Sequence, residues 1–138
     1  MKIYVDTNVF IDLIKENSSR RKSERVYEFF KKGWNCAFEL IVSDWTRTEI
    51  CRHVKEEELT LLFNEFKTKN KLYFVTHTKE ETQEAKSRNE HWQDELHLML
   101  AKKSGADMIV TYDNDFISYA SPIFDIRYPE NAFAHREK

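Results

Sequence analysis

Glycine and proline are scarce in this sequence, with two of each among 138 residues. Because these residues mark turns and loops, long flexible loops are not expected. Cysteine is equally rare, and Cys36 and Cys51 form no CxxC pair. That spacing argues against a zinc site or a redox pair, so we interpret both as reduced thiols in the core.

Long hydrophobic runs and an excess of positive charge are also missing. No segment approaches the roughly 20 apolar residues of a membrane span, and the N-terminus lacks the basic and then apolar order of a signal peptide. A cytoplasmic protein without a membrane partner is therefore expected. The net charge is −2, so the chain as a whole is not a polycation that binds nucleic acid.

The residues that are present describe a globular chain. Its composition is 41% hydrophobic, 33% charged and 14% aromatic, which predicts one compact domain over residues 1–138. Positive charge is concentrated locally in the segment NSSRRKSERVYEFFKK, which contains Arg20, Arg21 and Lys22. A solvated helix face is the first interpretation of this segment, and a surface that contacts phosphates is the second.

Short apolar segments alternate with helical patterns along the chain. The strand-like segments are KIYVD, AFELIVS, KLYFVT and ADMIVT, and SPIFDIRYP supplies a last edge strand. Gly33 and Gly105 follow helical patterns, in the position that ends a helix. The order β-α-α-β-α-α-β-α-α-β-α-β predicts an α/β fold of three layers, α/β/α, with a mostly parallel central sheet of four to five strands.

Acidic residues follow the ends of the predicted strands. In an open parallel sheet, ligands bind outside the carboxyl ends of the strands. Asp6 ends the first strand, Asp113 follows the fourth, and Asp115 lies two residues further on. Two more acids reach the same edge from helices: Glu49 in the second turn after AFELIVS, and Asp94 on one helix face with His97.

Each acid also has a structural interpretation. Asp6 and Asp113 are suited to cap helices, Asp94 to interact with a helix dipole, and Glu49 to be exposed. As a group they are harder to explain in this way. Four carboxylates about 6 Å apart would repel by on the order of 16 kcal/mol at an effective dielectric of about 20, which exceeds the usual stability of a domain, about 5–15 kcal/mol. Such a cluster must take up protons or bind cations, and oxygen ligands favour Mg²⁺ or Mn²⁺ over zinc.

Three motifs carry a resemblance to a known family. YVDTNVFIDL, TRTEI and the block DELHLMLAKKSGADMIVTYDNDF resemble the PIN domain, and the chain is similar to the VapC-like toxins of toxin–antitoxin systems. The resemblance implies an endoribonuclease that depends on Mg²⁺ or Mn²⁺. It also implies an RNA substrate, a cognate antitoxin and a homodimer.

The resemblance assigns roles to particular residues. The implied catalytic and metal-binding acids are Asp6, Glu49, Asp94 and Asp113, with Asp115 as an additional metal ligand, and the supporting polar residues are Thr7, Asn8 and Thr111. Arg20, Arg21, Lys22 and Arg47 are assigned to phosphate contacts. His97 is interpreted as a packed helix residue rather than a ligand or a base.

Three other functions remain open. A phosphatase of the haloacid-dehalogenase type also begins with a strand that ends in Asp, but its second acid is replaced here by Asn8. A non-catalytic module of the same fold would bind RNA or protein without cleaving. A DNA-cleaving relative of the flap-nuclease type would need a helical insertion for which this chain has little room.

Overall fold

The structure is a computed structural model that describes residues 1–15 and 20–134, without the side chains of Arg20, Arg21 and Lys22. Within this part of the chain the elements follow the predicted order. The strands are β1 (Lys2–Val5), β2 (Glu39–Ser43), β3 (Leu72–Val75), β4 (Met108–Val110) and β5 (Ile126–Arg127). The helices are α1 (Thr7–Lys15), α2 (Arg20–Trp34), α3 (Asp44–Cys51), α4 (Glu56–Thr68), α5 (Lys79–Arg88), α6 (Trp92–Lys103) and α7 (Asn114–Ala120), and a 3₁₀ turn spans Pro129–Asn131.

The strands form one sheet in the order β3-β2-β1-β4-β5, and every described pair is parallel. β1 lies at the centre, between β2 and β4, so the chain changes direction across the sheet at this strand. The prediction of a mostly parallel α/β sheet is confirmed, with five strands. The carboxyl end of β1 is the topological switch point, where ligands bind in open α/β sheets.

Both faces of the sheet are covered by helices, which explains why the strands are apolar throughout. Alternate residues of one strand face opposite sides. Ile3 and Val5 pack into one core together with residues of α1, α2 and α4. Tyr4 packs into the other core, together with most of the buried residues of α6 and α7. No helix in the described part of the chain is both long and apolar enough to cross a membrane.

The two glycines behave differently from each other. Gly105 has φ +75° directly after α6 and its cap residue Ser104, so its predicted role in ending that helix is confirmed. The prediction for Gly33 is wrong, because α2 continues through it to Trp34. A Cβ at position 33 would lie 2.6 Å from the ring of Phe66. Gly33 is therefore required for close packing of aromatic rings, not for a turn.

The interpretation of the cysteines as core residues is also wrong. Cys36 and Cys51 are both exposed free thiols. Cys36 lies in the turn after α2, where it adopts φ +66°, and Cys51 is the last residue of α3. Neither thiol contributes to the cores of the sheet.

Candidate metal centre

Asp6 lies directly after β1, at the switch point of the sheet. Its backbone N–H donates to the carbonyl of Val110 at 2.9 Å, which extends the pairing of β1 with β4. One carboxylate oxygen accepts a hydrogen bond from the N–H of Thr7 at 2.8 Å, and the other accepts from the hydroxyl of Thr111 at 2.8 Å. The residue is only 6% exposed. These bonds fix the carboxylate between two strand ends, and they differ from a side-chain cap to the second or third residue of a helix.

Three small polar residues lie around Asp6, and they are the ones to which the resemblance assigns supporting positions. The Asn8 amide donates to the Thr111 hydroxyl at 3.3 Å and to Asp6 at 3.4 Å. The Thr111 hydroxyl in turn accepts from the backbone N–H of Asp113 at 3.0 Å. The Thr7 hydroxyl donates to Oε1 of Glu49 at 2.8 Å. The network joins the carboxyl ends of β1 and β4 to helix α3.

Glu49 reaches the same edge from α3. This helix starts directly after β2, where the Ser43 hydroxyl caps it by accepting from the N–H of Thr46 at 2.9 Å. The start of the helix at the strand end brings its second turn over the sheet edge. Glu49 is partly buried there, and its Oε1 also lies 2.7 Å from Nε2 of His97. The alternative in which Glu49 is an exposed helix residue is therefore wrong.

His97 is the residue that the sequence interpretation underestimated. It is packed, being 2% exposed, but it also contacts two of the predicted acids. Its Nε2 lies 3.5 Å from Oδ1 of Asp6 as well as 2.7 Å from Glu49, and its Nδ1 lies 2.7 Å from the hydroxyl of Tyr4. The signal available in the sequence was its shared helix face with Asp94.

Burial and close charges shift the pKa values of these three groups. Burial disfavours the charged form of His97, but contact with Tyr4, the hydrogen bond to Glu49 and the charge of Asp6 together raise its pKa well above the usual value. Burial also disfavours ionised Glu49, yet its bonds with His97 and Thr7 lower its pKa overall. For Asp6 burial prevails over these attractions, and its pKa is raised. His97 is thus a positive partner inside an acidic cluster.

Asp94 lies in the first turn of α6, half-buried. Burial, followed by the nearby charges of Asp113 and Asp6, raises its pKa to about 6. Its carboxylate has no hydrogen-bond partner in the described ranges of the chain. The charges of His97 and His91 act in the opposite direction but do not outweigh burial and the two acids. A cation beside Asp94 would favour its charged form.

Asp113 and Asp115 lie at the start of α7. Oδ1 of Asp113 accepts from the N–H of Asp115 at 2.9 Å and of Phe116 at 3.2 Å, so Asp113 does cap this helix. Capping uses only that oxygen and is compatible with a further role. Asp115 is exposed in the first turn of the helix.

The donor atoms of Asp6, Glu49 and His97 lie within 4.8 Å of one another. Adjacent ligands of a divalent cation, each about 2.1 Å from the ion, are separated by about 3 Å. The three residues have donor atoms that could hold a metal ion after small movements of their side chains. Asp94 and Asp113 are outside this group, although the charges of Asp113 and Asp6 both act on Asp94.

Of the four basic residues predicted to contact phosphates, only Arg47 has a side chain that the structure describes. Arg47 lies on α3, and its guanidinium forms an exposed ion pair with Glu56 at 2.5 Å. A phosphate would have to compete with that carboxylate. The side chains of Arg20, Arg21 and Lys22 fall outside the described part of the molecule.

Comparisons with known proteins agree with this architecture. The family model described as the PIN domain matches residues 3–122, a range that includes all the acids of the candidate centre. Among solved structures, the chain is similar to VapC20 of Mycobacterium tuberculosis, described as a "Sarcin-Ricin loop cleaving toxin". The two share 14% identity and a TM-score of 0.63, over 86% of this chain and 95% of the other. A search of curated proteins found no match.

Proposed function

The chain belongs to the PIN-domain family, and from this premise we propose that it is a divalent-cation-dependent endoribonuclease and the toxin of a toxin–antitoxin pair. The observation that carries the proposal is the arrangement of Asp6, Glu49 and His97 at the switch point of the sheet, with Asp94 beside them. The similarity to VapC20, a toxin that cleaves the sarcin-ricin loop, supports RNA as the substrate class.

In this proposal Asp6, Glu49, Asp94 and Asp113 hold Mg²⁺ or Mn²⁺, and Asp115 is an additional ligand. A bound divalent cation lowers the pKa of a water and neutralises charge on the phosphodiester, which are the two needs of hydrolysis. Thr111 and Thr7 orient the carboxylates of Asp6 and Glu49 through their hydroxyl groups. Asp94, whose pKa is about 6 in the metal-free protein, would hold the cation in its ionised form.

We assign RNA binding to the basic residues Arg20, Arg21, Lys22 and Arg47. Positive charge outside an acidic centre attracts phosphates in a sequence-independent way. Charge reversal at Arg20, Arg21 and Lys22 that left RNA cleavage unchanged would count against this assignment.

A homodimer of single-domain chains and an antitoxin partner complete the proposal, and sedimentation of the purified protein tests the dimer.

The experiment is incubation of the protein with total RNA in Mg²⁺, in Mn²⁺ and in EDTA, followed by mapping of the RNA ends. We expect internal cleavage at defined positions with a divalent cation and none in EDTA. RNA binding without cleavage under every condition would favour the non-catalytic module instead. A covalent phosphate on Asp6 would favour the phosphatase, in which Asn8 replaces the usual second acid.

A further inference from the structure

We propose that His97 is itself a ligand of the metal, through Nε2, and that it makes the centre prefer a first-row transition-metal ion such as Mn²⁺ over Mg²⁺. This inference rests on the proposed function, since it concerns the same centre. It goes beyond the acidic site, because it adds a nitrogen ligand from the middle of α6.

The distances around Nε2 suit a shared ion. Nε2 lies 2.7 Å from Oε1 of Glu49 and 3.5 Å from Oδ1 of Asp6. Ligand atoms about 2.1 Å from one ion are separated by about 3.0 Å at right angles and by about 3.4 Å at tetrahedral angles. Both measured separations are close to these values. Small movements of the two carboxylates would admit an ion to which all three atoms bind.

The opposite side of the imidazole is fixed by a hydroxyl network. Nδ1 lies 2.7 Å from the hydroxyl of Tyr4, which in turn lies 2.8 Å from the hydroxyl of Ser43. Tyr4 can donate its proton to Ser43 and accept one from Nδ1. A cation bound at Nε2 would replace the proton that Nε2 shares with Glu49. The imidazole would keep its other proton on Nδ1 and direct the lone pair of Nε2 at the ion. A ligating histidine held by a hydrogen bond on its other nitrogen is the usual arrangement in metal sites.

The nitrogen ligand determines the preferred ion. Mg²⁺ favours oxygen ligands and gives up water reluctantly, whereas imidazole suits transition-metal ions. A centre in which an imidazole joins the carboxylates should therefore bind Mn²⁺ more tightly than Mg²⁺. An all-oxygen centre would discriminate less between the two ions.

The test measures how Mn²⁺ is bound, independently of activity. Mn²⁺ is added to the wild-type protein and to His97→Gln, and pulsed EPR reports coupling between the ion and a nitrogen nucleus. Titration calorimetry gives the affinities for Mn²⁺ and Mg²⁺. Gln is close in reach to Nε2 and can still donate a hydrogen bond to Glu49, so it retains positioning but removes the imidazole. His53→Gln, at an exposed histidine in the turn after α3, is the matched control.

We expect imidazole nitrogen coupling in the wild type and in His53→Gln but not in His97→Gln. We also expect the Mn²⁺ affinity of His97→Gln to fall at least about 10-fold, with a smaller change for Mg²⁺. Tyr4→Phe removes the partner of Nδ1 and should weaken Mn²⁺ binding by about 10- to 100-fold, the usual effect of losing such a hydrogen bond.

Two results would overturn the inference. One is Mn²⁺ binding to the wild type without nitrogen coupling. The other is an equal fall in the affinities for both ions in His97→Gln, which would make His97 a positioning residue only. Either result leaves cation-dependent RNA cleavage intact, so failure of this inference is distinguishable from failure of the proposed function.

Discussion

Asp94 has a carboxylate that is half-buried near Asp113 and Asp6, and the described residues offer it no hydrogen bond. Its elevated pKa has a direct consequence for stability. The folded protein keeps the Asp94 proton up to about pH 6, while the unfolded chain loses it near the ordinary value of 3.8. Because the folded state binds more protons over this range, the contribution of Asp94 to stability falls as the pH rises from about 4 to 6.

We therefore expect Asp94→Asn to raise the melting temperature of the metal-free protein at pH 7. The gain should shrink as the pH is lowered and become small near pH 4, where the folded state is protonated and the unfolded state is close to half protonated. Thermal unfolding followed by circular dichroism from pH 4 to pH 8 in EDTA measures this. Glu57→Gln, at an exposed residue in the first turn of α4, is the control and should show no such trend. A lower melting temperature for Asp94→Asn at pH 7 would contradict the expectation.

Residue-scale features were partly accessible from the sequence. The proximity of Asp6 and Glu49 could be predicted, because the hydrophobic pattern and the capping residues mark where the strands end and the next helices begin. The contact between His97 and Glu49 was not, since it joins residues 48 positions apart through the packing of α6 against the sheet. The pairing of Arg47 with Glu56 likewise depends on the turn between α3 and α4.

At the scale of elements, the order of strands and helices follows from the alternation of short apolar strands with helical patterns, and α3, α5 and α7 each begin at a side chain that caps them. Thr78 and Glu81 form a capping box at the start of α5, which marks that boundary in the sequence. The end of α2 was mispredicted, because a glycine that ends a helix and a glycine that admits a neighbouring ring look identical in sequence. Only the approach of Phe66 distinguishes them.

Gly33→Ala tests this packing explanation. The added methyl group would overlap the rings of Phe66 and Phe38, and overpacking of this kind costs typically about 1–3 kcal/mol. We expect urea denaturation to show a loss of that size, although alanine favours helix. Gly33→Ser should be no more stable than Gly33→Ala, because serine also adds a Cβ.

The contrasting site is Gly105, which has open space around it and a left-handed backbone. Gly105→Ala should cost about 1–2 kcal/mol, and Gly105→Asn should cost less because asparagine tolerates this conformation.

An increase in stability for Gly33→Ala would show that the rings can move aside and would contradict the role assigned to Gly33.

At the scale of the whole molecule, the switch point concentrates negative charge on a chain whose net charge is only −2. Asp6, Glu49, Asp94 and Asp113 come from elements distributed over more than a hundred residues. The parallel sheet brings their segments to one edge, and in the metal-free protein His97 supplies part of the compensating charge. The position of these acids at one edge of the sheet was predictable from the ends of the strands, whereas the buried imidazole that offsets part of their negative charge was not.

The central claim is that these acids bind a divalent cation on which RNA cleavage by the protein depends, and Asp94→Asn tests it most directly. Asp94 is suited to this test because its carboxylate forms no hydrogen bond with any residue that the structure describes, so the substitution should preserve the fold. The measurement is the single-turnover rate of RNA cleavage in Mg²⁺ and in Mn²⁺, for the wild type, Asp94→Asn and Glu57→Gln. We expect Asp94→Asn to be slower by on the order of 100-fold or more, with Glu57→Gln unchanged and no cleavage in EDTA. Wild-type rates for Asp94→Asn in both ions, or cleavage that persists in EDTA, would contradict the claim.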